Sequence, residues 1–314
     1  MLTRLLPLLC LSALLSLAND RVRIRTTDGT IIEGTTSART IAKIPLAQIV
    51  SVHSGAPASD SEATKIKAGI AAVQGADRAA RDIAVDELTA IGLPLMTPLL
   101  QAYKDTDQHE PRPLYRLFER IMPGYADHFD RSLTLIRLAG GGAQRVALPE
   151  AGIEVTDASG SKTSVPWSKI RTLAVRQRSV KRTLQVHSLK HSTQIEFLDT
   201  GIVLDSASKA TLAAQGLVRL SWDTDSWASD ANGLTKPGSP AYKSHLVDGH
   251  PFGALVARVE AAGATFFIGK AGSVAGKPGR LRLAVNDNAH WQNNLGTFLV
   301  TLTASDAYDL GEAQ

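Results

Sequence analysis

The chain has 314 residues, a formal net charge of +4 and a single cysteine, Cys10. That length allows two or three small domains. The charge excess is too small to argue for a nucleic-acid partner. One cysteine excludes an internal disulfide and any site built from several thiolates.

The N-terminus reads as a secretory signal over 1–18. Arg4 supplies the positive end, Leu5 to Leu17 form an apolar stretch, and Ser16 and Ala18 are small residues at the positions a signal peptidase reads. Cleavage after Ala18 would start the mature chain at Asn19 and lower the charge to +3, because Arg4 is the only charged residue removed. The apolar run is too short for a comfortable membrane span, and no later segment reads as transmembrane. Lipidation at Cys10 would require a small residue before it, and Leu9 is not small. A mature chain without cysteine suits a secreted, periplasmic or cell-envelope protein.

Residues 19–60 read as the first part of an N-terminal β-unit. Val22, Ile24 and Thr26 alternate, Asp28-Gly29 signals a tight turn, and Ile31-Ile32 restarts a strand. A helical, HEAT-like insertion is expected over 61–130. Ile83, Leu88, Ile91, Leu95 and Leu99 approximate helical spacing, broken at Gly92-Leu93-Pro94. Leu114, Leu117, Phe118 and Ile121 suggest a further helix, stopped by Pro123-Gly124. The second part of the β-unit is expected over 131–175. Its ending, Pro166-Trp167-Ser168-Lys169-Ile170, repeats the pattern of Pro45-Leu46-Ala47-Gln48-Ile49. The shared ending predicts that the two β-parts belong together.

Residues 176–183 read as a charged linker within the basic stretch Arg171, Arg176, Arg178, Lys181 and Arg182. From 184 to 314 the sequence reads as all-β. Short apolar runs such as 202–204, 217–220, 254–259, 265–268, 281–285 and 297–302 alternate with Gly, Pro, Asn and Asp. This spacing predicts a jelly-roll-type β-sandwich. The expected fold class is therefore mixed, mainly β.

Catalytic patterns are missing from the sequence. His187 and His191 are four apart, but no Glu follows His187 as a zinc-protease helix requires. No Gly-x-Ser-x-Gly elbow occurs, nor a Walker-type Gly-Lys-Ser/Thr. A non-enzymatic protein is expected.

The most informative run is 285–298. It places Asp287 and the adjacent amides Asn293 and Asn294 on a short loop between two strand-like segments. Crowded hard oxygen donors on a β-connection are what Ca²⁺ takes; the same composition also suits an ordinary turn. Upstream stand Trp227-Ala228-Ser229-Asp230, Gly253-Ala254-Leu255-Val256 and Phe267-Ile268-Gly269. With the 285–298 run, these resemble the calcium-dependent, galactose-binding bacterial lectins of the LecA/PA-IL type, in order and approximate spacing across about 190–304.

The resemblance implies the same sandwich and a calcium at its tip, coordinated directly by a sugar's vicinal hydroxyls. Carried over by motif, Asp287 is the carboxylate ligand, Asn293 and Asn294 are the amide ligands, and His290 and Asp230 offer carbonyls. Asp287, Asn288, Asn293 and Trp291 would meet the sugar, Trp291 either stacking on it or anchoring the loop. Two departures stand out. The loop from Asp287 to Asn293 is one residue shorter than the family pattern, and the family's His-Pro-x-Gln segment has no clear counterpart, His250-Pro251 abutting a strand instead. Asp223 and Asp225 would suit either a second calcium site or a solvated strand edge. The implied partner is a galactose-like or other vicinal-diol glycan, with a protein partner for the N-terminal region. The alternative is a non-catalytic structural or protein-interaction module of the cell envelope on the same fold.

Overall fold

The computed structural model describes residues 20–311 apart from 56, 106–113, 115–116, 118–133, 150, 195, 222–226, 235–248, 260–263 and 288–292. The expected signal segment lies outside the described residues, as do Phe118, Ile121, Asp223 and Asp225.

Strands β1 (Asp20–Thr26) and β2 (Ile31–Thr36) form the first hairpin. Its turn is set by Asp28, whose carboxylate accepts from the Thr30 N–H at 2.9 Å and the Thr26 hydroxyl at 2.5 Å, while Gly29 takes φ +91°. A small hairpin, β3 (Thr40–Ile41) and β4 (Ile44–Pro45), then leads through a 3₁₀ turn at Leu46–Gln48 into β5 (Ile49–His53).

The second half is built from β6 (Thr134–Leu138), β7 (Ala143–Val146), β8 (Ile153–Thr156) and β9 (Lys162–Val165). A 3₁₀ turn at Trp167–Lys169 leads into β10 (Ile170–His187). The repeated Pro-x-x-polar-Ile ending is thus one local device used twice. Pro45 (φ −56°) and Pro166 (φ −60°) hold the chain extended because the ring fixes φ. The turn then tucks Leu46 or Trp167 inward, and the chain re-enters a strand at Ile49 or Ile170, both fully buried. β5 and β10 pair antiparallel, Val52 opposite Leu173. Both halves share one core that includes Val22, Ile24, Ile49, Val52, Ile136 and Ile170.

Between the halves lie α1 (Asp60–Gln74), α2 (Arg78–Ile91) and α3 (Met96–Asp105). Ser59 and Glu62 cap α1 reciprocally. α2 stops at Gly92 (φ +71°), where a 3₁₀ turn, Leu93–Leu95, carries Pro94. Leu88, Ile91, Leu95 and Leu99 pack with Ile66, Ile70, Leu114 and Leu117. Ile83 is the exception to the expected apolar stripe: it is 58% exposed, and Ala84 takes the inward position beside it. Among the described residues no single helix is long and apolar enough to cross a membrane; the apolar pair Ile83–Ile91 and Leu93–Tyr103 is bent by 105°.

The expected linker is corrected by β10, an 18-residue strand that runs unbroken through 176–183. Its first part pairs with β1 and β5, and its second part, from Arg176, pairs with β18 (Leu295–Asp309). Three of the five basic residues are paired, whereas Arg178 and Lys181 are exposed. Arg171 is buried against Glu62, Arg176 faces Asp205 at 3.4 Å, and Arg182 reaches Asp309 at 2.5 Å. Limited proteolysis is therefore expected to spare 176–183 while cutting loops first. Early cleavage in that window, mapped by mass spectrometry, would contradict the shared strand.

The C-terminal part is the expected sandwich. The remaining strands are β11 (Leu198–Leu204), β12 (Lys209–Arg219), β13 (Ala228–Ser229), β14 (Leu255–Val259), β15 (Thr265–Phe267), β16 (Ala271–Ala275) and β17 (Gly279–Val285). One antiparallel layer runs β16-β12-β18-β10, with β13 beside β12; the other runs β15-β14-β17-β11. β18 joins the layers where Ile202 and Val203 meet Asp309 and Tyr308. Alternate residues of both layers, among them Leu212, Val218, Leu255, Leu283, Phe298 and Val300, fill the space between.

Candidate functional site

The candidate residues lie between the end of β17 and the start of β18. β17 delivers Asn286 and Asp287, and β18 begins just after Asn293 and Asn294. Asn286, Asp287 and Asn294 are all buried, although their side chains are polar. Buried polar groups of this kind persist only when held by partners, and the surrounding loops supply them.

Asn286 is fixed first. Its side-chain Nδ2 donates to the carbonyls of His250 (3.0 Å) and Pro251 (3.2 Å). Its backbone N–H reaches Ala254 O, and its carbonyl accepts from the Gly253 N–H. Gly253 has φ +78°, and a Cβ there would press on Leu220 and Ser229. His250-Pro251, which the sequence sets apart from the site, thus abuts the loop residue that precedes Asp287. The His250 ring lies 6.3 Å from that of Phe267, which is 45% exposed.

Asp287 is held from the other side by the loop after β10. Its N–H donates to Thr193 Oγ1 at 3.0 Å, and its carbonyl accepts from Thr193 Oγ1 and Gln194 Nε2, each at 3.2 Å. Its carboxylate Oδ2 accepts from Asn294 Nδ2, which also donates to the Ser188 carbonyl at 3.2 Å. The other end of that amide, Asn294 Oδ1, is buried and has no hydrogen-bond partner among the described residues. An orphaned buried acceptor costs roughly 1–3 kcal/mol.

The structure therefore brings Asp287 and Asn294 together, with Asn293 half-buried beside them. Asn288, His290 and Trp291 lie outside the described residues. Asp230 is placed in a neighbouring loop and is occupied there. Its carboxylate pairs with Lys270 at 2.7 Å and accepts from the Asn232 N–H. Its carbonyl accepts from the Gly233 N–H and the Ser229 hydroxyl. The hydrogen bond and charge of Lys270 hold the Asp230 carboxyl below its ordinary pKa. Among the described residues no group of three or more His, Cys, Asp or Glu side chains is placed to hold a metal. The candidate oxygen set is thus one carboxylate with amides.

Ser188, Thr193 and Gln194 were not legible as site residues. They lie about 100 positions before Asp287 in sequence, in a segment that reads as polar strand and turn. His187 and His191 stand in the same place, with rings 5.9 Å apart. His187 Nδ1 meets the Thr297 hydroxyl at 2.7 Å, and His191 Nδ1 accepts from the His187 N–H. Burial, then the nearby Lys190 charge, lowers the His187 pKa. The pair fastens β10 to β18 beside the loop.

No family model matches the chain, and no curated protein matches it. Among solved structures it is similar to one described as the EclA N-terminal domain, a PllA-like lectin. The identity is 17%, the match covers 41% of this chain and 98% of that one, and the TM-score is 0.31. At that identity and score, what the chain does rests on its own side chains.

Proposed function

We propose that the C-terminal sandwich is a calcium-dependent carbohydrate-binding module of an exported, non-enzymatic protein. The observation that carries the reading is the buried Asn294 Oδ1, which has no partner among the described residues, on the same amide whose nitrogen meets the Asp287 carboxylate. Turning that amide over would set Oδ1 beside Asp287 Oδ2 and leave two oxygen donors facing one point. Asn293 stands next in the chain as a further neutral donor. Asp287 offsets part of a divalent charge, and neutral amides complete a shell without adding repulsion. A bound Ca²⁺ would leave positions open to the vicinal hydroxyls of a galactose-like glycan. Asp230 is left out of this ligand set because its carbonyl already accepts from the Gly233 N–H and the Ser229 hydroxyl.

A second reading rests on the same bonds. Asn294 Nδ2 donating to both Asp287 and Ser188 is also a loop lock, and a structural or protein-interaction module of the cell envelope needs nothing more. Calcium titration separates the two. Metal that binds only the folded state at about 100-fold over its dissociation constant adds about 2.7 kcal/mol. Asp287→Asn, which keeps the shape and removes the charge, is expected to abolish that gain, and Asn293→Ala to reduce it. Thermal melts in Ca²⁺ and in EDTA read the effect, and retention on a galactose resin should be lost in EDTA. Equal melting in both conditions, with no heat of binding, would leave the loop lock.

A further inference from the structure

The second polar concentration lies on the outer face of the N-terminal sheet, where it meets α2 and the sandwich. Strand register puts Arg25, Thr172 and His53 side by side on that face, across β1, β10 and β5. The next row is Arg23, Ala174 and Ser51, with Arg137 opposite Ser51 on β6. The inward face holds Val22, Ile24, Leu173 and Val52, so the polar rows face outward, toward the junction. The sandwich approaches there: Arg137 stands 4.0 Å from Asp309, and Arg282 of β17 pairs with Asp86 of α2 at 2.9 Å.

Nearly every cation at this junction has a carboxylate. Arg23 pairs with Glu33, Arg280 with Asp199, Arg282 with Asp86, and Arg182 with Asp309. Arg25 is the exception: half-buried, it has neither an ion pair nor a side-chain hydrogen bond among the described residues. Burial, then the charges of Arg280 and Arg23, lower its pKa; Glu87 pulls the other way without reaching ion-pair distance. The Thr172 hydroxyl beside it also has no hydrogen-bond partner among the described residues. A half-buried guanidinium that no carboxylate pairs among the described residues, next to an unbonded hydroxyl on the neighbouring strand, is complementary to an oxyanion. The planar fork of arginine suits the oxygens of a phosphate.

We propose that Arg25 and Thr172 bind a phosphate group at the junction of the N-terminal sheet and the sandwich. The site is separate from the Asp287 loop and does not depend on the sugar-binding reading. His53 is its neighbour and reporter. Its ring Nε2 meets the Ser51 hydroxyl at 3.0 Å, and it lies in the field of Arg137, Arg280 and Asp309. Burial, then Arg137 and Arg280, push its pKa down to about 4. An anion seated beside it would offset those arginine charges and raise that value.

The test uses the full chain with inorganic phosphate as the probe, at constant ionic strength against chloride and acetate. Phosphate is expected to raise the melting temperature and shift the His53 ring titration upward by NMR. Arg25→Gln should weaken binding about tenfold or more, as expected for loss of a charge-assisted hydrogen bond. Its melting temperature without phosphate should equal or exceed that of the wild type, since a repelled cation is removed. Thr172→Val should weaken phosphate binding by a smaller factor. No phosphate-specific shift, an equal response to acetate, or unchanged phosphate affinity in Arg25→Gln would overturn the site. A large loss of stability in phosphate-free Arg25→Gln would also overturn it, by making Arg25 a structural residue.

Discussion

Glu62→Ala is expected to cost about 3–5 kcal/mol, the range for breaking one side of a buried ion pair. Glu62 and Arg171 are 2% and 3% exposed. Arg171 Nε donates to Glu62 Oε1 at 2.5 Å, Nη2 meets Oε2, and the same Nη2 donates to the Pro57 carbonyl at 2.8 Å. Glu62 also closes the cap of α1 through Ser59. The pair is therefore the polar anchor between the helical insertion and β10. Removing the carboxylate strands a guanidinium where water cannot reach it. Glu62→Leu combined with Arg171→Met should recover much of the loss, because apolar groups of similar volume need no partner. Urea unfolding of the two single variants and the double variant measures this; a double variant as weak as the singles would contradict it.

The same pair gives a pH dependence of known sign. Burial alone would raise the Glu62 pKa, but the hydrogen bonds from Arg171 and Ser59 and the Arg171 charge outweigh it, so the folded value lies below the ordinary one. A carboxylate depressed in this way binds fewer protons folded than unfolded. Its contribution is present above the unfolded pKa and is lost as pH falls through the folded value. Wild type should thus lose stability on acidification more steeply than the Glu62→Leu/Arg171→Met variant. Parallel acid profiles would assign the loss elsewhere.

Phe298→Ala is expected to remove about 3–5 kcal/mol, the usual cost of a buried phenylalanine side chain. Phe298 is fully buried in the sandwich core, on β18 opposite Val186 of β10 and Gly216 of β12. Gly216 (φ +109°) has no room for a side chain, since a Cβ would press on the Thr297 carbonyl. The neighbouring strand therefore cannot repack a larger residue into the gap. Because β10 and β18 run through both the N-terminal sheet junction and the sandwich, the loss should appear in a single unfolding transition. Two separated transitions in calorimetry would show that the shared strands do not couple the parts. Phe298 also lies four residues after Asn294, so the variant should loosen the Asp287 loop, read as faster amide exchange there.

The local devices were legible because their causes are local. The Asp28-Gly29 turn, the break at Gly92-Leu93-Pro94 and the two Pro-x-x-polar-Ile endings each follow from backbone restrictions of the residues that form them. The alternating C-terminal runs placed most sandwich strands for the same reason, since one face of each strand must be apolar. α1 falls inside the expected helical insertion, but its Ser59-x-x-Glu62 cap and its Ile66, Ile70, Val73 stripe were identified only with the structure.

What the tertiary structure alone decided depends on partners distant in sequence. A run of arginines reads as solvated until Glu62, Asp205 and Asp309 are brought to it, and only then can 176–183 be strand rather than linker. Asp287 and Asn294 were visible as oxygen donors, but whether they meet depended on Ser188, Thr193 and Gln194 arriving from the loop after β10. Lys270 likewise claimed Asp230 from across a strand connection. Charge and hydrogen-bond pairing act over a few ångströms of space whatever the separation along the chain, and a one-dimensional pattern holds no record of which distant groups will share that space.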